Sequence, residues 1–194
     1  AQYRKVLEDR RIDLRGLQVM DGQTFRWAGQ YKFDMNVAET LDTQLNVFAD
    51  FHPRLPDDFR ETKYVFLANI HPSLQLEVLD QVRSPKLVVM DSMNFWIGNP
   101  DTKRDLTEVI KRVNVVFMND AEIRQFTDKY NLFEAARDVL SLGPQVVLMK
   151  KGEHGAIAVS NEGVFVAAAY PLETVKDPTG AVVHHTTSAH NTIV

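Results

Sequence analysis

Hydrophobic residues follow two different periods along the chain, and the change comes near Pro53. Residues 24–33 place aromatic side chains at alternate positions between small or polar ones, and residues 41–51 repeat the alternation with mostly aliphatic side chains. A period of two is typical of strands that bury one face. We therefore predict two antiparallel strands, over 24–33 and 41–51, that form a small sheet of their own.

After Pro53, dense apolar segments alternate with amphipathic ones. Strands are predicted over 63–70, 86–91, 113–118 and 146–151, hairpin strands over 156–160 and 164–168, and helices from Pro72, Asn99, Asn119 and Asn131. A further helix is predicted over 1–12. Near-continuous apolar strands between helices indicate a mostly parallel sheet covered on both faces. The expected fold class is α/β, with three αβα layers and the small antiparallel sheet as an insertion.

The composition excludes several classes of protein. The 194 residues fit one domain with a small appendage, and the formal charge is 22 − 26 = −4, so there is no basic field to recruit nucleic acid or an anionic membrane. No apolar run reaches the ~18 residues of a membrane span. The absence of cysteine excludes disulfides and cysteine-based sites. No signal peptide opens the chain, and we expect a cytoplasmic protein.

The most specific motif is the string Asp177-Pro178-Thr179-Gly180-Ala181, which follows an extended segment. Read alone, it favours a Pro-Gly turn. The alternative is a phosphate site, because backbone N–H groups at a helix N-terminus attract anions, and the family resemblance given below favours this alternative.

The second motif, Asn119-x-x-Glu122, directly follows a predicted strand. Asn at an N-cap with Glu three residues on is also a capping box, so a cap alone and a cap that also steers a metal ion are both open. Asn131-x-x-Glu134 has the same spacing, and we predict that it is a cap only.

Two more motifs lie at predicted strand ends. Lys150-Lys151-Gly152-x-x-Gly155 offers cationic groups for phosphate and glycines for a tight reversal. A plain hairpin turn with solvated lysines explains it equally well. Asp91-x-x-Asn94 also has two interpretations, a ligand site at a strand end or an Asx-type turn with a buried aromatic side chain.

In this order the four motifs resemble the PfkB/ribokinase family of carbohydrate and nucleoside kinases, whose hallmark is D-[TP]-x-G-A-G-D. The resemblance covers residues 1 to about 181. It implies an ATP-dependent sugar kinase that transfers the γ-phosphate to a sugar or nucleoside hydroxyl with Mg²⁺. By resemblance, Asn119 and Glu122 steer the metal, and phosphate or ATP is bound by Lys150, Lys151, Gly152, Gly155, Asp177, Thr179, Gly180 and Ala181.

The chain departs from the family pattern at two positions. The hallmark's last glycine and its general base, an aspartate, are replaced by Val182 and Val183. No catalytic residue is therefore assigned, and we expect the chain to be inactive. We also expect it to correspond to the central portion of a sugar kinase, incomplete at both ends. The alternative is a non-catalytic remnant that dimerises or binds a ligand. A strand at the edge of the incomplete sheet is expected to destabilise the chain or to be buried by another copy.

The inserted sheet corresponds to the lid that closes over the sugar in the family. Phe25, Trp27 and Tyr31 are its predicted substrate contacts, and its apolar face is expected to mediate a homodimer. Predicted boundaries are 1–23 and 53–181 for the core, 24–52 for the lid and 182–194 for a divergent tail. His184, His185 and His190 in that tail have a spacing compatible with a metal site, but an unstructured tail is the favoured interpretation.

Overall fold

A computed structural model describes residues 2–31, 38–171 and 173. Its helices are α1 (Gln2–Asp9), α2 (Pro72–Gln81), α3 (Asn94–Ile97), α4 (Pro100–Ile110), α5 (Asp120–Thr127) and α6 (Leu132–Leu140). Its strands are β1 (Arg26–Tyr31), β2 (Ala38–Gln44), β3 (Tyr64–Leu67), β4 (Leu87–Asp91), β5 (Val115–Asn119), β6 (Val146–Lys150), β7 (Ala156–Ser160) and β8 (Val164–Ala167). Short 3₁₀ helices span Asn46–Asp50, Asp57–Glu61 and Gly152–His154.

The large sheet has six strands in the order β3-β4-β5-β6-β7-β8. The first four run parallel, and β7 and β8 add an antiparallel hairpin. Apolar strand sequences of four or five residues between amphipathic helices produce this arrangement, because a parallel neighbour needs a crossover helix. The predicted α/β class with a mostly parallel sheet is confirmed.

Helices cover one face of this sheet in the part of the chain that the structure describes. Because each crossover from β3 to β6 moves one strand in the same direction, right-handed connections place the helices on the same side. On that side Met90, Val116 and Met149 are fully buried. On the opposite face Tyr64 and Phe66 are 68% and 59% exposed. Helices were predicted on both faces of the sheet, and within the described residues they cover one face.

The small sheet pairs β1 with β2 in antiparallel register, with a bulge between Ala28 and Gly29. The predicted extension of the second strand to residue 51 is wrong, because the strand ends at Gln44 and a 3₁₀ helix follows. Asn46 adopts a left-handed backbone (φ 50°), and its side-chain amide donates to the Thr24 carbonyl at 2.9 Å. The reversal brings the Phe48 ring to 5.7 Å from the ring of Phe25.

No helix within the described residues is long and apolar enough to cross a membrane. The division into core, lid and tail remains a prediction, and the tail lies outside the described residues.

Candidate functional site

Polar side chains gather where three neighbouring parallel strands end. Asp91, Asn119 and Lys150 are the last residues of β4, β5 and β6, and Asn119 is paired in register with Lys150. The carboxyl ends of parallel strands meet at one edge of the sheet, which is where α/β proteins bind ligands. The structure thus brings together residues from three of the four sequence motifs.

Lys150 forms an ion pair with Asp91 across this edge. The Nζ atom donates to Asp91 Oδ1 at 2.6 Å, and the two side chains are only 12% and 24% exposed. The interpretation of Lys150 as a solvated hairpin lysine is therefore wrong. Both residues end predicted strands, but the sequence does not give the strand order that brings these ends together, and the pair was therefore not predicted.

Asn119 and Glu122 form a complete capping box at the start of α5. The Asn119 side-chain oxygen accepts from the Glu122 backbone N–H at 2.7 Å, and Glu122 Oε2 accepts from the Asn119 N–H at 2.9 Å. Asn119 Nδ2 also donates to Glu122 Oε1 at 2.8 Å. Asn131 caps α6 through the N–H groups of Phe133 and Glu134, which confirms the predicted cap there.

The Glu122 carboxyl group is buried at 5% exposure. Burial raises its pKa above the ordinary value, and the negative charge of Asp91 acts in the same direction. The Asn119 N–H, the positive charge of Lys150 and the Ser92 hydroxyl oppose this rise in pKa. Ser92 donates to Glu122 Oε2 at 3.1 Å and links the end of β4 to α5. Sequence reasoning missed Ser92, since a lone serine after a strand carries no distinctive signal.

The loop after Lys150 is a closed turn. The Lys151 N–H donates to the Gly155 carbonyl at 2.8 Å, and Gly152 to His154 forms a 3₁₀ helix. Gly155 has φ +92°, and a Cβ atom there would lie 2.0 Å from the Ala167 carbonyl oxygen. Only glycine fits this approach. The Lys151 side chain forms no ion pair with any described residue.

At Asp91-x-x-Asn94 the chain turns into α3. The Ser92 N–H donates to Asp91 Oδ1 at 3.1 Å, as in an Asx-type turn. Trp96 is the half-buried aromatic residue, with its indole N–H donating to Asn69 Oδ1 at 2.8 Å, whereas Phe95 is 68% exposed. The motif combines a turn with the ion pair described above.

Trp27, one of the predicted lid contacts, is held in the small sheet by Thr40 and Gly29. Its indole N–H donates to Thr40 Oγ1 at 3.2 Å, and its ring lies directly over Gly29, where a Cβ atom would be 2.1 Å away. Phe25 and Trp27 are 43% and 38% exposed. Tyr31 ends β1, and its side chain lies outside the described part.

The hallmark-like segment falls outside the described residues. This applies to Asp177, Thr179, Gly180 and Ala181, to Val182 and Val183, and to the three tail histidines. Their predicted roles remain predictions.

The donor set at the sheet edge is suited to Mg²⁺ bound mainly through water and phosphate. Within the described ranges there is no group of three or more acidic or histidine side chains that could hold a metal ion by themselves. Mg²⁺ typically keeps several waters and uses one or two carboxylates together with substrate phosphates. Asp91 and Glu122 provide two carboxylates, and each carboxylate has lone pairs beyond those its hydrogen bonds use. The residues therefore fit such an ion.

Comparison with known proteins gives one family match and one curated relative. A model described as pfkB family carbohydrate kinase matches residues 1–181. A cytidine kinase of Thermococcus kodakarensis is 26% identical over 171 residues, which are 87% of this chain and 61% of the relative. The chain thus spans about three fifths of the length of that relative.

Solved structures show the same fold at lower identity. An Escherichia coli protein assigned as ribokinase II, in complex with ATP and Mg²⁺, aligns with TM-score 0.73 and 17% identity over 91% of this chain and 60% of its own. A Methanocaldococcus jannaschii nucleoside kinase, an archaeal member of the ribokinase family, aligns with TM-score 0.71 and 19% identity over 93% of this chain and 58% of its own.

Proposed function

Because the chain belongs to the pfkB family of carbohydrate kinases, we propose that it forms the phosphate and metal side of an ATP-dependent kinase site for a sugar or nucleoside hydroxyl. The observation that carries this proposal is the convergence of Asp91, Asn119, Glu122 and Lys150 at the carboxyl edge of β4 to β6. The names of the relatives, a cytidine kinase and a nucleoside kinase, support a nucleoside or sugar substrate. A cytoplasmic location is part of the same proposal.

Each residue has a role that follows from its contacts. Asp91 holds the Lys150 ammonium at the sheet edge, and charge-assisted hydrogen bonds of this kind fix a cation in position. Lys151 supplies a second positive charge for the nucleotide phosphates. Asn119 holds the Glu122 carboxylate in a fixed orientation with two hydrogen bonds. Bound Mg²⁺ would neutralise phosphate charge here, held by Glu122 and Asn119 through water.

The chain alone is proposed to transfer phosphate at no more than background rate. Val183 stands at the position of the family's general base and has no titratable group. Loss of a general base typically lowers the reaction rate by a factor of about 10²–10⁴. A coupled assay with MgATP over a panel of pentoses, hexoses and nucleosides tests this. Clear turnover by the pure chain would contradict the inactivity and leave the kinase assignment standing.

A second candidate function is a non-catalytic protein that dimerises through its lid. The observation that favours it is the exposure of Trp27 and of Leu41, at 38% and 63%, in a sheet of only two strands. A Trp27→Ser, Leu41→Ser double variant should shift the association state in light scattering over a dilution series. A monomeric wild type at tens of micromolar, or an unchanged variant, would rule this function out.

A further inference from the structure

Gln75 is a buried polar side chain near the start of α2, with a relative exposure of 1%. Its Nε2 atom donates to the Ala68 carbonyl at 3.1 Å and lies 3.5 Å from the carbonyl oxygens of Leu67 and Asp91. A primary amide has two N–H donors, so three backbone acceptors share them. Leu67 and Asp91 are the last residues of β3 and β4. Gln75 therefore joins α2 to the ends of two strands at the edge where the candidate site lies.

The contact with Asp91 lies where the pairing of β3 with β4 has ended. Leu67 is paired in register with Met90, so Asp91 lies one residue beyond this ladder. On the other side of β4, Asp91 is paired with Phe117 of β5. The Gln75 amide thus supplies a hydrogen-bond donor on the side of β4 where β3 no longer pairs with it.

The oxygen atom of the same amide has no partner. Gln75 Oε1 is buried and accepts no hydrogen bond from the residues that the structure describes. Exchanging the two amide atoms would place the oxygen against three carbonyl oxygens, so the contacts fix the orientation of the amide. A buried acceptor without a donor costs free energy, and a methionine of similar length would avoid that cost. Stability alone therefore does not account for a glutamine at this position.

Asp91 connects Gln75 to the candidate site. Its backbone carbonyl receives the Gln75 amide, while its Oδ1 atom accepts from Lys150 Nζ at 2.6 Å and from the Ser92 N–H at 3.1 Å. Because both groups belong to one residue, a shift of the end of β4 displaces the carboxylate and the ammonium group paired with it. Functional groups in binding sites are held to within about 0.5 Å by such supporting hydrogen bonds.

We propose that Gln75 is a positioning residue for the phosphate site. Its amide fixes the carboxyl end of β4, and so holds the Asp91 carboxylate and the Lys150 ammonium group where they bind nucleotide phosphate. The inference rests on the proposed function for its ligand, MgATP, and on the contacts of Gln75 for its geometry. It predicts a loss of affinity in a variant whose stability is retained, which a residue with only a structural role would not produce.

The test compares Gln75→Met with Gln81→Met, a matched control on the same helix. Gln81 lies about 9 Å further along the helix axis. Its amide donates to the Pro53 carbonyl at 2.7 Å and accepts from the Leu55 N–H at 3.0 Å, away from the sheet edge. In calorimetry we expect Gln75→Met to bind MgATP at least about threefold more weakly than the wild type, and Gln81→Met to bind like the wild type. The urea midpoint of Gln75→Met should stay close to that of the wild type, because the lost donor is offset by removal of the unpaired oxygen.

Amide hydrogen exchange at Ser92, measured by NMR, tests the geometry without a ligand. The Ser92 N–H donates to the Phe117 carbonyl at 3.2 Å as well as to Asp91 Oδ1, so it reports on the end of β4. We expect it to exchange at least about tenfold faster in Gln75→Met than in the wild type, with no change for the Val116 amide inside β5. Equal exchange at Ser92 in the two proteins, or equal MgATP affinity of folded Gln75→Met, would contradict the proposal.

The remaining outcomes are also decisive. If Gln75→Met does not fold, Gln75→Leu takes its place, and if neither folds, the fold itself requires the amide and the proposal is wrong. Weaker MgATP binding by Gln81→Met to the same extent would show a general effect of α2 and would overturn it as well. A wild type that binds no MgATP would contradict the proposed function instead, and exchange at Ser92 then decides whether Gln75 fixes the end of β4.

Discussion

Asp91 and Lys150 meet at 2.6 Å although they belong to β4 and β6, which are separated in the sheet by β5. The pair lies at the carboxyl ends of both strands, beside the buried Glu122 carboxyl group. Its charges act on that group in opposite directions, since Lys150 lowers the Glu122 pKa and Asp91 raises it. Burial is the largest cause of the raised Glu122 pKa, and the two charges of the ion pair partly offset each other there.

Breaking this pair should destabilise the fold. Removal of one partner from a fully buried pair costs about 3–5 kcal/mol, and partial exposure here reduces the expected cost of Lys150→Met to about 2 kcal/mol. A double-mutant cycle with Asp91→Asn, measured by urea unfolding, should give a coupling free energy of about 1 kcal/mol or more.

The exposed pair of Arg83 and Glu61, at 2.8 Å, is the matched control for this cycle. Exposed ion pairs are typically worth about 0–1 kcal/mol. Similar coupling energies for the two pairs would show that Asp91 and Lys150 are as solvated as a surface pair.

Glu122 should give stability a distinct pH dependence. Its pKa is raised in the folded protein, whereas in the unfolded chain it ionises near its ordinary value of 4.5. As pH rises above that value, Glu122 ionises in the unfolded state before it does in the folded state, and this ionisation lowers the free energy of the unfolded state. The contribution of Glu122 to stability therefore falls with pH until the folded-state pKa is passed. Glu122→Gln removes the effect. The unfolding free energy of wild type minus variant should decrease as pH rises above the ordinary Glu122 pKa of 4.5.

That difference is measured from urea unfolding at a series of pH values. The other titrating groups are common to both proteins and cancel. A difference that is flat or that increases with pH would show that Glu122 is not held in a desolvating environment.

The two asparagine caps should differ in their contribution to stability. Asn131→Ala removes a cap from an exposed position and should cost about 1 kcal/mol. Asn119→Ala also leaves Glu122 without its 2.8 Å donor, and we expect about 2 kcal/mol. Equal losses in thermal or urea unfolding would mean that Asn119 acts only as a helix cap.

Two glycines with positive φ provide a test of the loop after Lys150. Gly155→Ala places a methyl group against the Ala167 carbonyl, and overpacking of this kind costs about 1–3 kcal/mol beyond the backbone strain. Gly163→Ala has a similar backbone restriction, but no atom lies within 4 Å of its Cβ position. The first variant should be clearly less stable than the second. If the two melt together, the close contact with β8 does not exist in solution.

The sequence predicted the core elements well because their signals are local. Pro72 and Asn131 start helices within one residue of the predicted positions, since caps and N-terminal prolines depend on the backbone around them. The 3₁₀ helix at 46–50 was not predicted. Its alternating apolar residues follow the strand period, and the left-handed backbone of Asn46 depends on a hydrogen bond to Thr24, which is distant in sequence.

Residues of the site were predicted from the sequence, but the contacts between them were not. The motifs containing Asp91, Asn119 and Lys150 were each recognised at a strand end. The Asp91–Lys150 pair and the Ser92–Glu122 hydrogen bond depend on the strand order, which brings together residues about 30 to 60 positions apart. The period of apolar residues identifies the strands but not their neighbours in the sheet.

Binding of MgATP to the chain, measured by calorimetry, tests the central claim most directly. We expect a Kd of about 1 mM or tighter for the wild type and at least about tenfold weaker binding for Lys150→Met. Lys111→Met, at an exposed position after α4, serves as the control and should bind like the wild type. Absence of binding by the wild type at several times that concentration, or equal binding by folded Lys150→Met, would contradict a phosphate site at this edge of the sheet.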